Sequence, residues 1–181
     1  MLLIGCSPQG RHIEQHDVFF GIGESIKDLI PDVKAFWPEA KGKLHFDAWR
    51  EVTNVNGYKV EVVTNEHALH KSSAKLFFIN LGGYKQNEFE EFHYKMIIAA
   101  IDKGEAVKMA KDTAFFRHTG FKNATSHIDD KYGIDVDDVY EIADILSADS
   151  KKHYSILVTS PNEKIPEDEI HLGYFKLSMF E

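Results

Sequence analysis

Gly5-Cys6-Ser7-Pro8-Gln9-Gly10-Arg11-His12-Ile13-Glu14-Gln15-His16 decides the reading of the chain, because a later stretch answers it. With Gly5 placed over Gly82, Gln9 falls on Gln86, Glu14 on Glu91 and His16 on His93. The same offset sets Ser25 on Asp102, both of them helix N-cap residue types. Leu29, Ile30, Val33 and Trp37 then fall on Ala106, Val107, Ala110 and Ala114. An insertion in the second half shifts the register. Beyond it, the stretch from His45 to Val52 lies over that from Asp135 to Ile142, and Tyr58–Val62 lies over Tyr154–Val158. An internal repeat is the first thing to seek in a sequence, because it fixes the architecture.

Each copy reads as strand, loop, strand, helix, strand, strand. In the first copy, Leu2–Gly5 and Val18–Gly23 read as strands. A helix follows from Ser25, with Ile26, Leu29, Ile30, Val33, Phe36 and Trp37 on one face. Pro31 predicts a kink or break in it. Leu44–Val52 and Tyr58–Val63 read as the last two strands, joined at Asn56-Gly57, a pair that tolerates positive φ. In the second copy, Lys75–Leu81 reads as a strand ending in a sharp turn at Gly82-Gly83. Phe92–Ile101 is the next strand, and Asp102 starts a helix to about Arg117, with Glu105 placed for a capping box. Val136–Ala143 and Tyr154–Thr159 complete the copy. Ile170–Leu177 predicts a further strand.

The expected fold class is therefore α+β: two tandem ββαββ repeats, pseudo-twofold, with mainly antiparallel sheet and helices on one face. The expected units are 1–74 for the first repeat with its linker, 75–160 for the second, and 161–181 for a C-terminal loop and extra strand.

Composition narrows the partners. The chain has 181 residues, with 21 Lys+Arg against 29 Asp+Glu, a formal net charge of -8. No basic run exceeds Lys151-Lys152, so nucleic acid is not an expected partner. No apolar run approaches the roughly 18 residues of a membrane span, so a membrane is not expected either. A single cysteine, Cys6, argues against a disulfide framework, and a cytoplasmic location is the expectation. Open sheet edges in two units suit a homodimer.

Ordered along the chain, Glu14-Gln-His16-Asp17-Val18-Phe19-Phe20, His45-Phe-Asp47-Ala-Trp49, Asn56-Gly57-Tyr58, Leu81-Gly82-Gly83-Tyr84 and His127-Ile-Asp129-Asp130 resemble a small bacterial family. It is known only as a domain of unknown function, number fifteen-forty-three, and its domain occurs in one or two copies per chain. The resemblance implies no activity, substrate or catalytic residue. Ile4-Gly5-Cys6 departs from Leu81-Gly82-Gly83 at the third position.

The duplicated pairs Glu14/His16 and Glu91/His93 are the first site candidates. Residues two apart on a strand face the same way, and a carboxylate beside an imidazole suits metal binding or proton relay. His45/Asp47 and His127/Asp129 repeat that spacing, although His127/Asp129 falls in the insertion. Glu14, His16, His45 and Asp47 together would make a four-donor N/O set for a divalent metal, if their strands were adjacent. No other cofactor is called for. The acidic run from Asp129 to Asp138 holds five aspartates but does not fit an EF-hand loop. Cys6, near His12 and His16, could pair as nucleophile and base, but a small packed residue is the simpler reading.

Two functions are expected from different classes. The first is a non-catalytic binding module that recognises a protein or small-molecule ligand between the repeats. The alternative is a metal-dependent, hydrolase-like enzyme using the His/carboxylate pairs. Convergence of Glu14/His16 with His45/Asp47 separates the two.

Overall fold

A computed structural model describes residues 1–67, 72–84, 87–113 and 134–180. The protein is mixed α+β, with mostly antiparallel sheet and few helices. Strand β1 (Leu2–Cys6) sits inside the first sheet, between β2 (Gln15–Phe19) and β3 (His45–Trp49). The far C-terminal strand β10 (His171–Lys176) returns to pair with β3, giving the order β10-β3-β1-β2. All three pairings are antiparallel.

Alternation along β1 assigns its two faces. Leu2, Ile4 and Cys6 pack with Phe46 against α1 (Ile26–Phe36), which buries Leu29, Ile30 and Val33. Leu3 packs instead on a central core, and Gly5 shares its face. Ser25 and Asp28 cap α1 reciprocally, and the helix runs through Pro31 without the expected break. Pro31 is exposed at the middle of the eleven-residue helix, where its missing N–H removes one intrahelical bond while the buried apolar face holds the helix down on both sides.

The second half builds a sheet in the order β7-β6-β8 from β6 (Lys75–Tyr84), β7 (Glu91–Ala100) and β8 (Ile134–Glu141). Phe77, Ile79 and Leu81 pack against α2 (Lys103–Lys111) through Ala106 and Ala110. Asp102 accepts from the Glu105 N–H at 2.9 Å, and Glu105 accepts from the Ile101 N–H at 2.7 Å. Gly82 and Gly83 do not turn the chain. They lie within β6, and neither has positive φ. The expected strand over Val18–Gly23 also shifts. β2 is made of residues 15–19, and the chain then leaves the sheet, passing Gly21 close under Leu29.

A third sheet links the halves. β4 (Asn54–Val55) and β5 (Tyr58–Thr64) form a hairpin at Asn56-Gly57, with φ of 41° and 89°. β5 pairs along its length with β9 (Tyr154–Thr159), which follows two short helices, α3 (Ile142–Ile145) and α4 (Ala148–His153). The central core collects Val18, Phe20, Val60, Phe78, Ile97 and Val158 from all three sheets. No helix among the described residues is long and apolar enough to cross a membrane.

Candidate metal centre

The first cluster is assembled over a glycine. Gly5 on β1 lies opposite His16 on β2 and opposite His45 on β3. Glu14 ends the loop that enters β2. Asp47 is the extra residue where the β1–β3 register shifts, since Leu3 faces Ala48 while Ile4 faces Phe46. Such a shift bends a strand and re-aims a side chain. Here it brings Asp47 over the central strand beside His45. A Cβ on Gly5 would strike His45 Nε2 and lie 2.7 Å from Asp47 Oδ2. Only a residue without a side chain lets the two groups lie this close to the backbone.

The four side chains form a closed ring. His16 Nε2 is 3.6 Å from Glu14 Oε2 and 3.1 Å from Asp47 Oδ2. His45 Nε2 is 3.4 Å from Glu14 Oε1 and 3.3 Å from Asp47 Oδ1. Each imidazole nitrogen thus stands between the same two carboxylates. His45 Nε2 and Asp47 Oδ2 are nevertheless buried with no hydrogen-bond partner among the described residues. A buried polar atom left in that state costs about 1–3 kcal/mol. A tetrahedral metal with bonds of about 2.0–2.1 Å holds its donors about 3.3–3.4 Å apart. One donor atom each from Glu14, His16 and His45 lies within 4.8 Å of the others, a wider set that a cation of this size would have to draw in, and Asp47 flanks both imidazoles through its two oxygens.

Burial is graded across the ring. The His45 side chain is 7% exposed, while Glu14 and His16 are about two-fifths exposed. The Tyr174 ring of β10 lies over His45, with centroids 4.3 Å apart. Ser7 donates to Glu14 Oε1 at 3.5 Å. Cys6 points the other way, into the core beneath α1. Burial, and then the Glu14 carboxylate, push its thiol pKa up, against the opposing pull of Lys43. A buried thiol held protonated is a poor nucleophile.

Glu91 and His93 gather in the second half around Gly82. Gly82 lies opposite His93 on β7 and opposite Asp135 on β8. His93 Nε2 is 3.8 Å from Glu91 Oε2, and His93 Nδ1 is 3.2 Å from Asp137 Oδ2. A Cβ on Gly82 would strike Asp137 Oδ2 and lie 2.8 Å from Oδ1. His127 and Asp129 lie outside the described residues. Sequence reasoning did not select Asp137 as a site residue. The signal was present, because the repeat alignment sets Asp137 over Asp47.

The chain shares its fold with a solved crystal structure, that of a protein Il1583 from Idiomarina loihiensis. The TM-score is 0.63 at 19% identity, covering 97% of this chain and 94% of that one. At that identity the likeness is one of fold. No curated protein matches the chain. Residues 11–62, the stretch that contains Glu14, His16, His45 and Asp47, match the family model of the Domain of Unknown Function (DUF1543).

Proposed function

We propose that the protein is a metal-binding module in which Glu14, His16, His45 and Asp47 hold one divalent transition metal, with zinc the best match to two imidazoles and two carboxylates. The observation that carries this reading is the pair of buried atoms, His45 Nε2 and Asp47 Oδ2, that lack hydrogen bonds inside a ring of donors. A cation at the centre would satisfy both and neutralise the two carboxylates. Glu14, His16 and His45 supply three converging donors, and Asp47, beside both imidazoles, would fill the fourth position of a tetrahedron, which favours a structural or sensing metal over a hydrolytic one. The hydrolase-like alternative draws on the exposed Glu14/His16 side, where a water could enter as a further ligand.

The reading includes a duplication with pseudo-twofold symmetry. Its support is the shared order of elements, β2-β1-β3 with α1 and β7-β6-β8 with α2, each with a glycine on the central strand opposite a histidine. Recognition of a small ligand between the halves draws on a separate feature. A cleft of about 680 Å³ is lined by Phe20, Trp49 and Val60 from one half and Leu76, Leu146 and Ile156 from the other. A cytoplasmic location is consistent with the one buried thiol, Cys6.

Elemental analysis of tag-free protein, with thermal unfolding in Zn²⁺, tests the metal. A ligand that binds only the folded chain adds about 2.7 kcal/mol at one hundred times its Kd. For a chain of this size that is a rise of roughly 5–10 °C in Tm. His45→Ala removes the rise. Metal-free protein whose Tm does not respond to Zn²⁺ refutes the proposal.

A further inference from the structure

The His45 imidazole is held from two sides by different means. Its strand, β3, lies between β1 and β10. On the β1 side the ring leans over Gly5, where a Cβ would strike Nε2 and lie 2.7 Å from Cε1. On the β10 side the Tyr174 ring covers it, with centroids 4.3 Å apart and planes inclined at 33°. An imidazole that serves as a ligand is ordinarily oriented by a hydrogen bond from its other ring nitrogen to a carboxylate or carbonyl. His45 Nδ1 has no such partner among the described residues, and a ring contact stands in its place.

Tyr174 is not there to fill a core. It is 63% exposed, and its hydroxyl has no hydrogen-bond partner among the described residues. The β10–β3 register shifts between Leu172 and Phe175, a span that holds Gly173 and Tyr174. A shift of this kind re-aims a side chain, as the β1–β3 shift does for Asp47. On the other face of the same strand pair, His171 of β10 stacks on Trp49 of β3, with centroids 3.8 Å apart and planes inclined at 12°. Two imidazole–aromatic stacks therefore clip β10 to β3, and one of them contains a donor of the first cluster. His16, the other imidazole donor, has no ring against it among the described residues, and its side chain is 38% exposed.

We propose that Tyr174 is a positioning residue for the first cluster: its ring closes the β10 side of His45 and keeps Nε2 turned over Gly5, toward Glu14 and Asp47. Only the effect on cation affinity rests on the metal reading given above. Without the ring, the imidazole gains staggered rotamers that swing it toward β10 and away from the other donors. Binding then draws on a smaller competent fraction of the protein, and apparent affinity falls by that fraction.

Proton NMR of the metal-free protein, paired with Zn²⁺ affinity from competition with a chromogenic chelator, tests it. In the native chain the His45 ring protons should carry the upfield ring-current shift of a stacked aromatic. Tyr174→Phe keeps the ring and should keep both the shift and the affinity. Tyr174→Ala should abolish the shift and weaken Zn²⁺ binding by about tenfold or more. His171→Ala loosens the other stack without touching His45 and should leave both readouts unchanged. Circular dichroism checks that each variant is folded. A native His45 ring without the shift overturns the proposal. So does a folded Tyr174→Ala protein with native Zn²⁺ affinity, or a His171→Ala protein weakened as much as Tyr174→Ala. A native chain that shows the shift yet takes up no Zn²⁺ refutes the metal reading, while loss of the shift in Tyr174→Ala still supports Tyr174 as the group that orients His45.

Discussion

A methyl group at position 5 would occupy the space that His45 and Asp47 now share above β1. Gly5→Ala is therefore expected to push both side chains outward. The variant should keep its far-ultraviolet circular dichroism and lose the metal-dependent rise in Tm. At the neighbouring position, a thiol shifted upward by burial and by Glu14 predicts slow alkylation. Cys6 should react with iodoacetamide in native protein far more slowly than in urea, with a rate that rises as the solution is made more alkaline. Equal rates in the two conditions would contradict its placement. The pairs at these positions were legible from spacing, since i and i+2 share a strand face. Their meeting was not, because it depends on β3 lying beside β1 and on the shift that frees Asp47 from pairing. Neither is encoded in a local pattern. Asp137 was legible only through the repeat alignment, and the more obvious His127-Ile-Asp129 spacing drew attention away from it.

At the scale of elements, the helix over α1, the Asn56-Gly57 hairpin and the strand β9 were readable because periodicity and turn chemistry are local signals. The glycines at 82 and 83 were misread as a turn. A glycine admits positive φ, but it also admits a close neighbour, and sequence does not say which use applies. Pro31 was read as a kink or break because its cost in isolation is large, yet the helix continues through it, with burial of Leu29, Ile30 and Val33 outweighing that cost. Pro31→Ala is accordingly expected to stabilise the protein by about 1–3 kcal/mol, read as a higher urea midpoint at unchanged slope. Asn56 does more than turn the hairpin. Its amide accepts from the Ala99 N–H at 2.8 Å and donates to the Ala99 carbonyl at 3.1 Å, closing a gap on β7 as a strand would. Ala99 is buried, so Asn56→Ala leaves a donor and an acceptor without partners. The expected loss is about 2–4 kcal/mol by equilibrium denaturation.

Over the whole molecule, the halves are joined at two places far apart in sequence. β5 pairs with β9 across six residue positions, and the C-terminal segment closes the first sheet. Leu177 is buried beneath α1, with Phe175 and Phe180 packed beside it. Asp168 accepts from the Thr53 N–H, the Thr53 hydroxyl and the Asn54 N–H at 2.7–3.0 Å. Deleting residues 161–181 is therefore expected to abolish cooperative unfolding, with a sloping thermal transition replacing a sharp one. A truncated chain that melts sharply near the native Tm would show that these contacts contribute little.

The position of β10 also sets an order of events during synthesis. Tyr174, which lies over His45, leaves the ribosome well over one hundred residues after Glu14, His16, His45 and Asp47. At ordinary rates of translation the interval is on the order of ten seconds. During it the donors exist on a nascent chain without their aromatic cover, free to meet whatever cation the surrounding solution offers. On the proposed metal reading, the occupant of the first site is then selected by the compartment in which the ribosome sits, before the finished protein has any say in the choice.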